Sequence, residues 1–262
     1  MKENKAAQLY NSIKIAFSMY SKIPMPKSDW TKENMRYVMC FLPLIGVIIG
    51  GLSYLWGAFG MGYLTGRNLG VVVLLMIPVF VTGGIHLDGL LDTSDALSSY
   101  QPLEKKLEIL KDSNSGAFAI IVGICYFLIY FGAYSELSLT GLPVVCTGFV
   151  MSRALGGFSI ATFPMAKNTG LAATFSDGAQ KNVVRVVSVL YVLAAAAVMI
   201  MIHPFLGGMA VAGAALEFIF YYKMSMKQFA GITGDLAGFH IQICELVMTL
   251  FVVIGEVILL HM

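Results

Sequence analysis

Three aspartates fall close together in the run Gly83-Gly84-Ile85-His86-Leu87-Asp88-Gly89-Leu90-Leu91-Asp92-Thr93-Ser94-Asp95. At about 100° of turn per helical residue, Asp92 lies roughly 40° from Asp88 and Asp95 roughly 60° back from Asp92, so a helix would present all three carboxylates on one narrow face. Like charges held that close raise one another's pKa unless a cation neutralises them, and hard oxygen ligands suit Mg2+ shared with a phosphate group. In an ordinary loop the same acids would read as a solvated helix end. Here they follow a long uncharged stretch, where partial desolvation makes unpaired charge costly and favours a functional role. The glycines at 83, 84 and 89 leave room for a substrate to approach the backbone.

Other chemistry-bearing residues stand nearby or in apolar surroundings. His86 could bond a phosphate or ligate a metal, although a lone histidine at a helix end is more often a packed polar group. Lys111-Asp112-Ser113-Asn114-Ser115-Gly116 precedes another apolar run. It offers a cation, a further carboxylate and free helix-terminal amides that favour an anion; a membrane-anchoring lysine and a serine cap are the plainer readings of the same residues. Arg153 sits about 15 Å from the end of its apolar stretch, too deep for snorkelling, and needs a phosphate or a carboxylate such as Glu217, Glu245 or Asp235 as partner. Asp235 follows Gly231-Ile232-Thr233-Gly234, and Gln242, Glu245 and Glu256 fall within about 80° of its helical direction, a polar stripe facing other helices.

The elements that must position these groups are transmembrane helices. Of 262 residues, 58% are hydrophobic and only 12% charged, with a mean hydropathy of +0.79, whereas soluble domains run near a quarter charged. A net charge of +2, with the basic residues spread over short loops, gives no nucleic-acid footprint. The four cysteines (Cys40, Cys125, Cys146, Cys244) are scattered singly, without zinc, redox or disulfide spacing. Apolar runs at 37–61, 68–87, 113–135, 142–163, 186–216 and about 239–260 are each long enough to span, and the fifth divides at His203-Pro204. An amphipathic stretch near 6–20 reads as an interfacial helix. The expectation is an all-α polytopic bundle of about seven spans, forming one integral membrane domain over 1–262, with 1–36 as a cytoplasmic or interfacial segment.

Orientation follows from the basic residues, which mark the cytoplasmic side in short loops. With the N-terminus inside, 15 of the 17 lysines and arginines fall in inside loops; Arg67 lies outside and Arg153 within a span. The aspartate cluster is then cytoplasmic, the C-terminus is outside, and the chain resides in the cell (cytoplasmic) membrane. No cleavable signal peptide is expected, because the first long apolar run begins only near Tyr37. A homo-oligomer is compatible with all of this.

Nearly the whole chain resembles the adenosylcobinamide-GDP ribazoletransferase (cobalamin synthase) family. The run from Gly83 to Asp95 carries the resemblance, continued by Leu107 to Ser113 and Gly116. Weaker matches are Ile23 to Pro26, Pro43 to Gly46, Ser152-Arg153, Gly170-Leu171, and Gly231 to Asp235 with Glu245-Leu246. The resemblance implies a Mg2+-dependent transferase that joins adenosylcobinamide-GDP to alpha-ribazole, or to its 5'-phosphate, and releases GMP. It implies Asp88, Asp92 and Asp95 as metal ligands, one of them a candidate base; it places Lys111 and Arg153 on phosphate charge, with His86, Asp112, Ser113 and Asp235 as further substrate contacts. The chain departs from the family at Lys111 and Asn114, where arginine is common, at Gln242, where an acid is common, and at Phe239 and His240, where small residues are common. A CDP-alcohol phosphotransferase, the nearest rival, would carry an Ala-Arg pair after Asp-Gly instead of Leu90-Leu91-Asp92. A secondary transporter would carry its acids near the bilayer midplane, within inverted repeats.

Overall fold

The computed structural model describes residues 5–112, 114–167 and 171–262, apart from the side chains of residues 171 and 172. Among the described residues there are twelve α-helices: α1 (Lys5–Tyr20), α2 (Lys32–Met35), α3 (Val38–Leu55), α4 (Arg67–Thr82), α5 (Ile85–Ser98), α6 (Leu103–Ile109), α7 (Ala117–Glu136), α8 (Leu142–Thr162), α9 (Leu171–Gly178), α10 (Lys181–Ile202), α11 (Pro204–Phe229) and α12 (Gly234–Leu260). Helix α3 runs on through a π-helical turn and a 3-10 turn to Tyr63. Six helices (α3 with its extension, α7, α8, α10, α11 and α12) are each long and apolar enough to cross a membrane.

The second expected span, 68–87, is modified. Helix α4 ends at Thr82, and Gly83 and Gly84 take φ of +66° and +79°, a left-handed conformation that favours glycine. The chain restarts as α5 at 96° to α4. At 16 residues α4 is about 24 Å long, so a seventh crossing exists only as this broken unit. The aspartates therefore lie on a helix, as their spacing predicts, but one turned away from the span it follows.

The bundle centres on α8, of whose apolar window 78% is buried, against 22% for the peripheral α10. Helix α3 lies directly on it because Gly46 and Gly50 face the backbone carbonyls of Phe149 and Cys146, where a Cβ would sit 2.2 and 2.3 Å away; small residues four apart permit this approach. The break at His203-Pro204 is present, with His203 capping α11 by accepting from the Leu206 amide at 3.2 Å. The polar stripe on α12 faces inward as expected: Gln242 accepts from the Tyr126 hydroxyl at 2.7 Å, and Glu256 accepts from the Ser138 amide at 3.1 Å.

Candidate functional site

Helix α5 packs chiefly on α12 and α7. The approach to α12 is closest at Gly89, where an added Cβ would meet the Asp235 carbonyl oxygen at 2.5 Å, and at Gly238, where it would meet the His86 backbone at 3.1 Å. Two side-chain-free positions thus bring Asp88 beside the first turn of α12. That turn is fixed by Thr233, whose hydroxyl accepts from the Leu236 amide at 3.2 Å and reaches Asp235 Oδ2 at 3.3 Å. The loop before it is held by Met165 and Ile232, which pair as a short parallel bridge.

Between these elements lies a cavity of about 460 Å3 whose lining includes Asp88, Asp235, His86, Lys111 and Lys167. Its deeper wall is apolar, with Met39 and Leu42 of α3, Ile160 of α8 and Ile241 of α12. Met19 and Tyr20 of α1 close one side, and the Tyr20 ring stacks on His86 with centroids 5.9 Å apart. Asp88 also borders an adjoining recess lined by Lys22, Gly83 and Gly84. Two carboxylates and two ammonium groups therefore converge on one water-accessible space with an apolar floor, the composition of a small-molecule site.

Asp92 sits behind the lining and feels the other acids. Its pKa is raised to about 6, first by desolvation and then by the charges of Asp88, Asp235 and Asp95. Asp95 turns toward α7, where its Oδ2 accepts from the Gly116 amide at 3.1 Å. The helix N-terminus that could have received a phosphate thus already holds a carboxylate, the favourable sign for that end of the helix dipole. Asp112 is exposed and accepts from the backbone and side-chain nitrogens of Asn114 at 3.0 and 2.9 Å, outside the cavity lining. Ser113 lies outside the described residues, as does Gly170.

Arg153 is fully buried on α8. Its Nη1 donates to Glu245 Oε1 at 2.6 Å and to the Phe149 carbonyl at 3.0 Å, and Ser152 Oγ donates to the same carboxylate oxygen at 2.8 Å. Of the partners open to it in the sequence, Glu245 is the one it meets. Arg153 is not part of the cavity lining, so its assignment to substrate phosphate has no geometric support here.

Lys167 is a charged cavity residue that sequence reasoning passed over. It donates to the Leu107 carbonyl and lines the cavity. Its pKa is lowered, first by desolvation and then by Lys111, against a smaller raising effect of Asp235. The available signal was its position just past the end of α8, but only the bridge between Met165 and Ile232 brings that segment to Asp235.

Comparison with known proteins sets this geometry in context. A family model described as cobalamin-5-phosphate synthase matches residues 12–253. The chain belongs to the cobalamin-5-phosphate synthase family. It is similar to the adenosylcobinamide-GDP ribazoletransferase of Lachnoclostridium phytofermentans, 46% identical over 253 residues that cover 96% of each chain. It is likewise similar to proteins of that name from Clostridium botulinum, at 32% identity over 91% of this chain and 95% of the relative, and Geobacillus kaustophilus, at 30% over 97% of each. No solved structure matches the chain. As a cobalamin-5-phosphate synthase family member it is a transferase of cobalamin synthesis, and the cavity at the junction of α5 and α12 is its candidate active site.

Proposed function

We propose that this chain joins adenosylcobinamide-GDP to alpha-ribazole, or to alpha-ribazole 5'-phosphate, in a Mg2+-dependent transfer that releases GMP. One observation carries the reading: a single cavity sets Asp88 and Asp235 together with Lys111 and Lys167, metal-type donors beside phosphate-type cations. The donor set fits the ion, because Asp92 and the three carboxylates of Asp88, Asp235 and Asp95, which together with burial raise its proton affinity, form an all-oxygen, strongly negative site of the kind Mg2+ prefers. Asp88 and Asp235 would hold it, with Asp92 and Asp95 behind them. Bound Mg2+ supplies charge neutralisation and a template for an in-line displacement at phosphorus.

The remaining work falls to the chain. Lys111 and Lys167 take the charge of the pyrophosphate oxygens, and the apolar floor receives the uncharged parts of the substrates and excludes water from the reacting phosphorus. A ribose hydroxyl that is free in both alpha-ribazole and its 5'-phosphate forms a bond through its oxygen to the cobinamide-linked phosphorus, the pyrophosphate bridge breaks, and the bridging oxygen departs with GMP. The hydroxyl proton passes to a cavity carboxylate, with Asp88 and Asp235 both placed to accept it. The active site faces the cytoplasm on this reading, where nucleotide substrates are found, in keeping with the basic inside loops. Purified protein incubated with adenosylcobinamide-GDP, Mg2+ and either nucleophile should give a cobamide and one GMP per turnover by chromatography; folded protein that yields neither product would reject the proposal. A cysteine at Gln101, in a background without native cysteines, should be labelled only from the cytoplasmic side, and one at Ser138 only from outside.

A further inference from the structure

Deeper in the bundle, and away from the aspartates, α11 and α12 bring together Glu217, His240 and Cys244. One potential ligand atom from each lies within 4.8 Å of the others, and all three residues are buried. Glu217 Oε2 and His240 Nδ1 are 2.7 Å apart, while His240 and Cys244 stand four residues apart on α12, the spacing that stacks two side chains on one helical face. Tyr221 covers the imidazole, its ring stacked 4.6 Å away, and Phe218 meets it edge-on at 5.3 Å. The second carboxylate oxygen, Glu217 Oε1, has no hydrogen-bond partner although it is buried. A buried carboxylate oxygen left without a donor is a costly arrangement, and it points to a missing positive partner.

From this geometry we infer a structural metal site for a borderline divalent transition ion, with Zn2+ as the type case. The ligands are His240 Nδ1, the Cys244 thiolate and Glu217 Oε2, with Oε1 in a longer secondary contact to the same ion. Thiolate, imidazole and carboxylate together select such ions over Mg2+ or Ca2+, which take oxygen. Two anionic ligands neutralise the ion, so the loaded site carries no net charge and leaves Arg153 of α8 and Glu245, the residue after Cys244 on α12, as a separate balanced pair. Binding releases the Cys244 thiol proton and any proton on Nδ1 to solvent. The spacing of 2.7 Å is that of a hydrogen bond, and opening it by roughly half an ångström gives the separation of two ligands on a tetrahedral ion with bonds near 2 Å. The site ties α11 to α12 across the interior. The competing arrangement is an imidazolium–carboxylate pair between His240 and Glu217 with a neutral thiol beside it.

Elemental analysis decides between them. Protein made with added zinc, purified in detergent and desalted, should carry about one equivalent per chain, and Cys244→Ser and Glu217→Gln should each retain less by about tenfold or more. Chelator should lower the melting temperature of the parent protein and leave that of Cys244→Ser unchanged. Reconstitution of the parent protein with Co2+ should produce a thiolate-to-cobalt charge-transfer band, which reports the site even where a variant fails to fold. Parent protein without stoichiometric zinc, equal zinc in Cys244→Ser, or a cobalt spectrum without the thiolate band would each overturn the inference. Because Asp88 and Asp235 are untouched in these variants, loss of zinc here is separable from loss of Mg2+-dependent turnover.

Discussion

Replacing Arg153 with Met keeps the side-chain volume and removes the charge, and the structure specifies what is left behind. Arg153 and Glu245 have side-chain exposures of 0% and 2%, so neither can turn to water. The variant leaves the Glu245 carboxylate with Ser152 as its remaining side-chain donor at 2.8 Å. Removing one partner of a buried pair costs about 3–5 kcal/mol, most of it the penalty of the stranded charge. At about 2–4 °C per kcal/mol for chains of this size, the melting temperature in detergent should fall by roughly 10 °C. Neutralising the stranded group in the same chain, as Arg153→Met with Glu245→Gln, should recover more than half of that loss, because the two residues form one interacting unit. Thermal unfolding and turnover measured on the parent, both single variants and the double variant provide the assay. An Arg153→Met protein that melts like the parent but has lost turnover would refute the reasoning and return Arg153 to the substrate.

Asp88→Asn and Asp235→Asn should each lower turnover by about a hundredfold or more with little change in melting temperature, as expected when a preorganised charge is removed from a reacting site; steady-state rates at saturating Mg2+ check this. The raised pKa of Asp92, about 6, makes the protonated form the one the fold favours. Its stabilising contribution is present in full below the ordinary carboxylate value and is lost as pH rises through about 6. Apparent Mg2+ affinity, measured by activity titration, should strengthen by up to about tenfold per pH unit below 6 and level off above it, and Asp92→Asn should flatten that slope. Gly89→Ala places a methyl 2.5 Å from the Asp235 carbonyl oxygen, so α5 must withdraw from α12; a stability loss of about 1–3 kcal/mol and a steep fall in turnover should appear together in melting and rate measurements.

Much of this arrangement could be read from the chain alone, and the exceptions share a physical cause. Hydropathy and the positions of charge identify the helices, because a bilayer imposes length and neutrality on each span. The periodicity of Asp235, Gln242, Glu245 and Glu256 gave the inward stripe for the same reason. The Gly83-Gly84 break was visible as composition, but its 96° bend is a tertiary outcome, set by how α5 settles onto α12. Lys167 and Tyr20 join the cavity from segments distant in sequence, and no local pattern marks them. Arg153 was recognisable as buried and in need of a partner, yet Glu245 and a phosphate satisfy that need equally well on paper. Asp95 shows the converse: its place on the acidic face was legible, whereas its bond to Gly116 depends on where α7 begins.

The seating of Gly89 against Asp235 carries a consequence for biogenesis. Helix α5 is made well before α12, so the Asp235 wall of the candidate site cannot exist until α12 has been inserted. Until then Asp88 waits without its facing wall, and on the proposed function a chain released before Thr233 lacks Asp235 and its share of the metal ligands. By the same token, a fragment ending before α12, supplied with α12 as a separate peptide, should regain activity only when the two associate in the membrane. On the proposed function, the seating of α12 against α5 makes assembly of the bundle and completion of the site one event.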